Sequence, residues 1–552
     1  MSIIENYTYS RESLPKIGSW IYGQNWPAVY IIYNSSSAYV GETIDLVRRT
    51  SQHLDDTKFN DFTDICLISD MSFNKSVILD LESFLIKYMS ADGSRKLING
   101  NAGITDHNYF YKSAYEAEFS SIWDALRERG IVSQSILSIE NSELFKYSPY
   151  KTLSRDQEKT AFSIINTLYQ ANTASEKSVI EVLGGAGTGK TILAVYMIKL
   201  LKDISVHKDI LQYADDEAAE SIRGLAGHIH GIDRIGYVVP MKQLRETMKK
   251  VFKSIDGLSE DMVVAPEQVS DQQRFDLLVV DEAHRLYRRK NLPGQQLYAK
   301  FDRINEKIFS SANLKYTEAD PTELDWIIRN SRLQILFYDS QQTIRTADLG
   351  PERFNQVCDP HLIDRYILTS QMRCKGGNGY YEYIKMLLEK PNCSIKDYQK
   401  FDNYQTMSVD SAEDLFDMIE KDNQKYGLCG VVCGPGWKMN EDIKIQGKSY
   451  KWSSGDWSSE KRTILSIHKC QGFDMNYTGV IFGKEIYYDK KHGRVEVNKR
   501  ELMDNFAKSN GDDAMLQYVL NIYLTLMTRG IHGTFVYAVD DDLREYLKSF
   551  LN

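Results

Sequence analysis

No stretch of this chain approaches the 18 apolar residues of a membrane-spanning helix, and the N-terminus, MSIIENYTYS, has no basic segment leading into an apolar core. A secretory leader and a bilayer partner are therefore not expected, and the chain reads as soluble and cytoplasmic. Cysteine is scarce: seven in 552 residues, scattered and odd in number. Cys429 and Cys433 form the closest pair, with no second Cys or His pair at zinc spacing, which excludes a disulfide scaffold or zinc ribbon and leaves reduced thiols. An excess of positive charge is also missing. Lys and Arg total 67 against 76 Asp and Glu, a net charge of −9, so the chain is no basic coat for nucleic acid, although a local basic groove remains open. Internal repeats and low-complexity tracts are absent, which excludes solenoids and disordered linkers as the main architecture.

What is present is enough apolar residue, 42%, for ordinary packed cores, and enough length for about three or four domains. The chain is organised around Val179–Leu201, VIEVLGGAGTGKTILAVYMIKLL. Val179–Leu183 reads as a buried strand, Gly184, Gly185, Ala186, Gly187, Thr188 and Gly189 as a glycine-rich loop, and Lys190 and Thr191 as the start of an amphipathic helix. This is G-x-x-x-x-G-K-[ST] in its strand–loop–helix context. Glycines let successive N–H groups turn toward phosphate oxygens, and the helix N-terminus adds to that field. Lys190 is expected to reach the β- and γ-phosphates of ATP and Thr191 to hold Mg²⁺.

Ahead of this motif, Ala28–Tyr33 (AVYIIY) and Ala38–Gly41 (AYVG) read as a hairpin around Asn34–Ser37. Thr43 reads as the cap of a helix from about Ile44 to Leu54, on which Arg49 and His53 share a face. A strand over Thr63–Ile68 and a helix over about Lys75–Met89, carrying Glu82 in an apolar setting, complete the pattern.

This region resembles the GIY-YIG nuclease family over roughly 80 residues. The first signature falls on Ala28-Val29-Tyr30 and the second on Tyr39-Val40-Gly41; the family's arginine matches Arg49, its histidine His53, its metal-binding glutamate Glu82 and its late asparagine Asn99. Ala28 replaces a glycine of the signature at a position that shapes the strand. The resemblance implies phosphodiester cleavage, with Glu82 holding a divalent metal and Arg49 neutralising phosphoryl charge. Tyr30 or Tyr39, or else His53, would orient or deprotonate water.

Residues 104–147 mix aromatics and charges, with a helix expected over Glu116–Arg129, and read as a packed bridge. Gln157 lies on a helical pattern before the phosphate loop, where an amide can read the adenine edge in pairs of hydrogen bonds. Phe275–Val280 is an apolar strand ending in Asp281 and Glu282, which puts carboxylates where an open parallel sheet binds ligands. Asp281 is expected to hold Mg²⁺ through water and Glu282 to deprotonate the attacking water. Further along, Leu336–Ile344 with Gln342, Leu368–Arg373, Ser466–Asp474 with Gly472, and Leu524–Arg529 appear in the order of the superfamily-one helicase motifs. Their wording, in VVPMKQLR, SQMRC and TRGIHGTFVYA, most resembles bacterial motor domains akin to the helicase part of Schlafen proteins. The resemblance implies a γ-phosphate-sensing Gln342, a triphosphate-contacting Arg373 and an arginine finger at Arg529. Asp474 departs from the usual glutamate.

The expected fold is α/β: a small α/β GIY-YIG nuclease domain (1–103), a packed connector (104–147), then two RecA-like parallel-sheet P-loop lobes (148–345 and 346–552). The expected activity is an ATP-dependent helicase or translocase coupled to a Mg²⁺-dependent endonuclease, with a restriction-like defence role inferred from architecture alone. An ATP-gated nuclease switch and an RNA-directed, Schlafen-like nuclease are the alternatives. The expected cofactors are ATP and Mg²⁺. The expected partner is nucleic acid, DNA ahead of RNA, touched by Lys242, Arg245, His468, Trp452 and Trp457; no membrane partner is expected, and an oligomer or a partner protein is compatible.

Overall fold

The computed structural model describes residues 2–99, 109–149, 153–172, 177–185, 187–205, 231–290, 292, 294–309, 321–339, 347–439, 441–454, 460–470, 474–503, 508 and 511–552. It contains three main sheets, each covered on both faces. Among the described residues no helix is long and apolar enough to cross a membrane, and all seven cysteines are free.

The first sheet comprises β1 (Ile3–Thr8), β2 (Ala28–Tyr33), β3 (Ser37–Thr43), β4 (Asp64–Ser69) and β5 (Lys96–Leu97), in the order β1-β4-β2-β3-β5. Only the β3–β5 pair is parallel. The β1 edge strand has no sequence signature: IIENYT leaves most side chains exposed and carries no alternation to announce it. Helices α1 (Leu14–Ser19) and α2 (Leu46–Leu54) cover one face, and α3 (Lys75–Asp92) covers the other. The cap of α2 is Asp45, which accepts the Arg48 N–H at 3.0 Å; Thr43 instead accepts the Asp45 N–H one step earlier.

Helices α4 (Lys112–Glu128), α5 (Ile136–Glu140) and α6 (Glu143–Lys146) follow. The connector is packed, but it is no separate unit. Phe119, Ile122, Trp123, Leu126, Ile139 and Phe145 are buried in the same core as Leu81 and Leu85 of α3, so the first domain extends well past residue 103. Leu144 reaches further and packs on both this core and the next one.

The second sheet is wholly parallel and runs β11-β6-β10-β9-β7-β8. In chain order its elements are α7 (Arg155–Asn172), β6 (Ser178–Gly184), α8 (Lys190–Ser205), β7 (Ile235–Val238), α9 (Lys242–Ser254), β8 (Val263–Val264), β9 (Phe275–Val280), α10 (Gln295–Phe309), α11 (Glu323–Asn330), β10 (Ser331–Tyr338), α12 (Pro351–Cys358) and β11 (Leu362–Leu368). The strands read as continuous apolar runs because both faces are covered: α7, α8 and α9 on one, α11 and α12 on the other. The expected boundary at 345 is overturned here. β11 pairs with β6 from Leu362 to Leu368, so the first lobe continues to Leu368.

The third sheet runs β12-β20-β17-β13-β16-β15-β14 and is parallel except for the terminal β14–β15 pair. It is built from α13 (Gly377–Glu389), β12 (Gln405–Ser408), α14 (Ala412–Tyr426), β13 (Gly430–Cys433), β14 (Ile443–Ile445), β15 (Lys448–Trp452), β16 (Thr463–Ser466), α15 (Ile467–Cys470), β17 (Met475–Phe482), α16 (Asp512–Met527), β20 (Gly530–Ala538) and α17 (Asp541–Leu551). A small hairpin, β18 (Ile486–Asp489) with β19 (Arg494–Val497), lies between β17 and α16 in the chain.

Candidate functional site

Two centres emerge, one on the first sheet and one between the two parallel-sheet lobes. In the first, Tyr30 on β2 faces Gly41 across the β2–β3 ladder. A Cβ on Gly41 would press into the Tyr30 ring, so glycine at this position lets the ring lie flat over the neighbouring strand. The Tyr30 hydroxyl lies 2.7 Å from His53 Nε2 and accepts a hydrogen bond from Arg49 Nε at 3.2 Å. Burial, helped by the nearby Arg49 charge, depresses His53 to about 4. Burial also lifts Tyr30 well above an ordinary phenol. At neutral pH the pair is thus a neutral imidazole beside an intact phenol, with the Arg49 guanidinium donating to the phenol oxygen. Tyr39, also buried, packs edge-on to His53 at 5.4 Å between ring centres.

Glu82 on α3 faces the same cluster. Burial, reinforced by the charge of Glu42, pushes its carboxyl up to about 8, while Lys75 and Arg49 oppose the shift. Glu42 directly follows Gly41, and no motif singles it out. Its Oε1 pairs with Lys75 Nζ at 2.5 Å, and its Oε2 is buried with no hydrogen-bond partner among the described residues. A desolvated Glu82 carboxyl and the buried, unpartnered Oε2 of Glu42 fit a divalent cation. No set of three or more His, Cys, Asp or Glu side chains converges among the described residues, so protein alone would leave most of such a cation's coordination open. Asn99 takes a different part from the one expected. Its amide accepts the Val40 N–H at 3.0 Å and donates to the Val40 carbonyl at 2.8 Å. Both ends bond the β3 backbone, so Asn99 positions the Tyr39–Gly41 strand.

The second centre is a cavity of about 110 Å³ lined by Gly187, Thr188, Gly189, Lys190 and Thr191 from the loop, Glu282, Arg373, Asp474 and Arg529. The loop's shape depends on Gly187 and Gly189, at φ +80° and +79°, where L side chains are strained. Lys190 Nζ donates to the carbonyls of Gly184 and Gly185 and lies 3.4 Å from Asp339. Thr191 Oγ1 donates to Asp281 Oδ2 at 2.7 Å, which brings together the two groups expected to share Mg²⁺. Burial and the Glu282 charge raise Asp281. Glu282 goes the other way: burial acts against its charge, but His284, 2.9 Å away, together with Lys190 and Arg285, holds it ionised.

Several expected contacts are rearranged. Gln157 donates to the Thr188 carbonyl at 2.9 Å and accepts the Ser154 N–H at 3.0 Å, so it braces the loop and does not present its amide to a base. Arg373 is expected across the cleft from Lys190, on the second lobe. It follows β11 and belongs instead with the first lobe, since the Met372 N–H donates to the Gly187 carbonyl. Its guanidinium then reaches over to Asp474 of the second lobe at 2.8 Å. Arg529 is the arginine that the second lobe itself supplies; it is buried and donates to the Cys470 carbonyl. Arg245 directs its guanidinium to the carbonyls of Val239 and Pro240, and Trp452 donates to those of Lys438 and Glu441, so both serve their own lobes. Lys242 lines a neighbouring cavity of about 400 Å³. Ala186, Gln342, Trp457 and Gly472, with the side chain of His468, lie outside the described residues. Two residues that sequence reasoning misses also line this cavity: Lys146 and Tyr147, from the end of the connector. No local motif marks them, and only the tertiary fold brings them there.

Comparison with known proteins finds a family model over each of the two regions. A family model described as Schlafen group 3, DNA/RNA helicase domain, matches residues 177–540, well over half of the chain. A model of the GIY-YIG catalytic domain matches residues 27–95. The chain is 24% identical over 454 residues to the Saccharomyces cerevisiae protein described as "Uncharacterized protein YPL245W", a match spanning 72% of this chain and 90% of the yeast one. Among solved structures it is similar to the arterivirus nonstructural protein 10 helicase in complex with DNA, at 12% identity and TM-score 0.31, over 71% of this chain and 65% of that one. It is also similar to the Pif1 helicase of Candida albicans, at 12% identity and TM-score 0.26, over 70% of this chain and 94% of that one.

Proposed function

We propose that this chain, which belongs to the Schlafen group 3 DNA/RNA helicase family and carries a GIY-YIG catalytic domain ahead of the motor, is an ATP-driven translocase that feeds nucleic acid to its own metal-dependent endonuclease. The observation that carries this reading is the cavity between the lobes, where the phosphate loop, Glu282 and arginines reaching from both sides meet.

In the motor, Lys190 neutralises phosphate oxygens, Thr191 and Asp281 hold the metal, and Glu282, kept ionised, accepts a proton from the attacking water. Arg529 stabilises charge on the transferring phosphoryl group once the second lobe has swung onto the nucleotide. In the nuclease, Glu82, with Glu42 beside it, holds the cation, Arg49 takes up charge on the scissile phosphate, and neutral His53 receives a proton through the Tyr30 hydroxyl. Mg²⁺ at either site supplies fixed positive charge to the phosphate oxygens. The substrate is nucleic acid, with DNA ranked ahead of RNA, and by architecture the chain belongs with restriction-type machines that act on invading molecules.

The test is cleavage of a short and a long duplex, and of matched RNA, by the native chain, Glu82→Ala and Glu282→Gln. Glu82→Ala should abolish metal-dependent cleavage and leave ATPase activity within about a few-fold, since the two centres share no residue. Glu282→Gln should impair cutting of the long duplex more than of the short one, because a feeding motor acts in proportion to length. Equal effects on both lengths would replace translocation with an ATP-gated switch, and preferential cutting of RNA would move the substrate class.

A further inference from the structure

The end of the connector lies inside the motor's catalytic cavity. Helix α6 delivers Lys146 and Tyr147 into the same lining as Lys190, Glu282, Arg373 and Arg529. Lys146 is only 8% exposed. Among the described residues its ammonium has two partners, the Asp474 carbonyl at 3.5 Å and Glu143 Oε1 at 3.9 Å. Both lie at the limit of useful contact. An ammonium carries three donors, and burying it beside such distant acceptors is costly unless an anion completes the site. The neighbours identify which end of a nucleotide it would meet. Lys146 sits on the carbonyl of Asp474, whose carboxylate holds Arg373, so the ammonium lies at the arginine end of the cleft.

We propose that Lys146 is a further phosphate-binding residue of the motor, contributed from the nuclease side of the chain, and that it contacts the terminal phosphate of the bound nucleoside triphosphate. This rests on the reading of the interlobe cavity as an ATP site. It gives the nucleotide three sources of positive charge: the loop lobe through Lys190 and Arg373, the second lobe through Arg529, and the connector through Lys146.

The position of Lys146 also ties nucleotide to nuclease. Asp474 holds Lys146 through its carbonyl and Arg373 through its carboxylate. One residue earlier, Phe145 is buried against Tyr88 of α3, at 5.0 Å between ring centres. Tyr88 in turn donates to Glu140 of α5 at 2.7 Å, and α3 is the helix that carries Glu82. On its other side, the connector is bound to the second lobe through Asn141, which donates to the Tyr426 carbonyl at 2.9 Å and accepts from Asn476 at 2.8 Å. A phosphate that draws Lys146 toward itself therefore acts on a segment fastened to the nuclease core.

The experiment measures binding of ADP and of the non-hydrolysable triphosphate AMP-PNP, both with Mg²⁺, to the full-length native chain, Lys146→Met, Lys146→Arg and Lys190→Ala by titration calorimetry. Lys146→Met should weaken AMP-PNP by roughly tenfold to a hundredfold, the worth of one charge-assisted hydrogen bond, and leave ADP nearly unchanged. Lys146→Arg should restore most of the AMP-PNP affinity. Lys190→Ala should weaken both ligands. Native AMP-PNP affinity in Lys146→Met, or an equal loss for both nucleotides, overturns the proposal alone. Failure of the native chain to bind either nucleotide would overturn the ATP-site reading and this proposal with it.

Discussion

Gly41→Ala offers a sharp test of the nuclease centre, because the added methyl group lands on the residue at its heart. A Cβ at position 41 would sit against Oη and Cζ of Tyr30, well inside van der Waals contact, and 3.0 Å from Cε1. Ordinary carbon contact begins at about 3.5 Å, so the ring must retreat on the order of 1 Å. Tyr30 is buried and locked by its bond to His53, so that retreat has no free space to use. Overpacking of this kind costs about 1–3 kcal/mol. Displacing a reacting group by about 1 Å costs roughly 10²-fold in rate. The assay is metal-dependent cleavage by the full chain, with ATPase activity as the internal control and thermal melting for stability. Cleavage should fall roughly a hundredfold, ATP hydrolysis should not change, and the melting transition of the first domain should move down. Tyr30→Ala removes the ring, so in that background the alanine at 41 should cost almost nothing, a coupling that a double-mutant cycle measures. Native-rate cleavage by Gly41→Ala, or an equal stability cost in both backgrounds, would refute the argument.

Further outcomes follow from other residues. Glu282→Gln should bind ATP with near-native affinity and hydrolyse it at least a hundredfold more slowly, as the amide cannot take a proton; single-turnover hydrolysis checks this. Arg529→Ala should lose kcat with little change in nucleotide affinity, because its charge counts chiefly in the transition state, and a native kcat would remove Arg529 from the site. Burial lifts the Glu323 carboxyl to about 8 from an ordinary 4.5. Between those values the folded chain keeps a proton that the unfolded chain has released, so stability falls as pH rises through that window. Glu323→Gln still accepts the Tyr287 N–H. It should melt like the native chain near pH 5 and higher than it at pH 8.5; a lower melt at pH 8.5 would count against the assignment.

The elements that were legible in the sequence owe their form to local chemistry. The strand–loop–helix of Ser178–Ser205 and the strand Phe275–Val280 that leads into Asp281 could be read from spacing and residue type, while the Tyr30, Arg49, His53 and Glu82 set was carried by the resemblance to the GIY-YIG family. What escaped was set by neighbours distant in the chain. Asn99 and Gln157 look alike in sequence whether their amides face a ligand or a backbone; Val40 and Thr188 decide it. β11 looks like the start of the second lobe until its pairing with β6 is seen. Glu42 and Lys146 belong to no motif and acquire their place only when β3 meets α3 and α6 meets the second lobe.

The membership of β11 in the first sheet of the motor has a mechanical consequence. The chain leaves that sheet at Leu368, touches the phosphate loop at Met372 and is bonded to the second lobe by Lys375, whose N–H donates to the Ile531 carbonyl. So short a strap has almost no slack, and the nucleotide loop is its fulcrum. Under the translocase reading proposed above, the second lobe would be a lever pivoted beside the bound phosphates. A small rotation at the pivot is amplified with distance, so events of ångström size at the nucleotide would become large strokes at the lobe's far edge, where a gripped strand would be carried along.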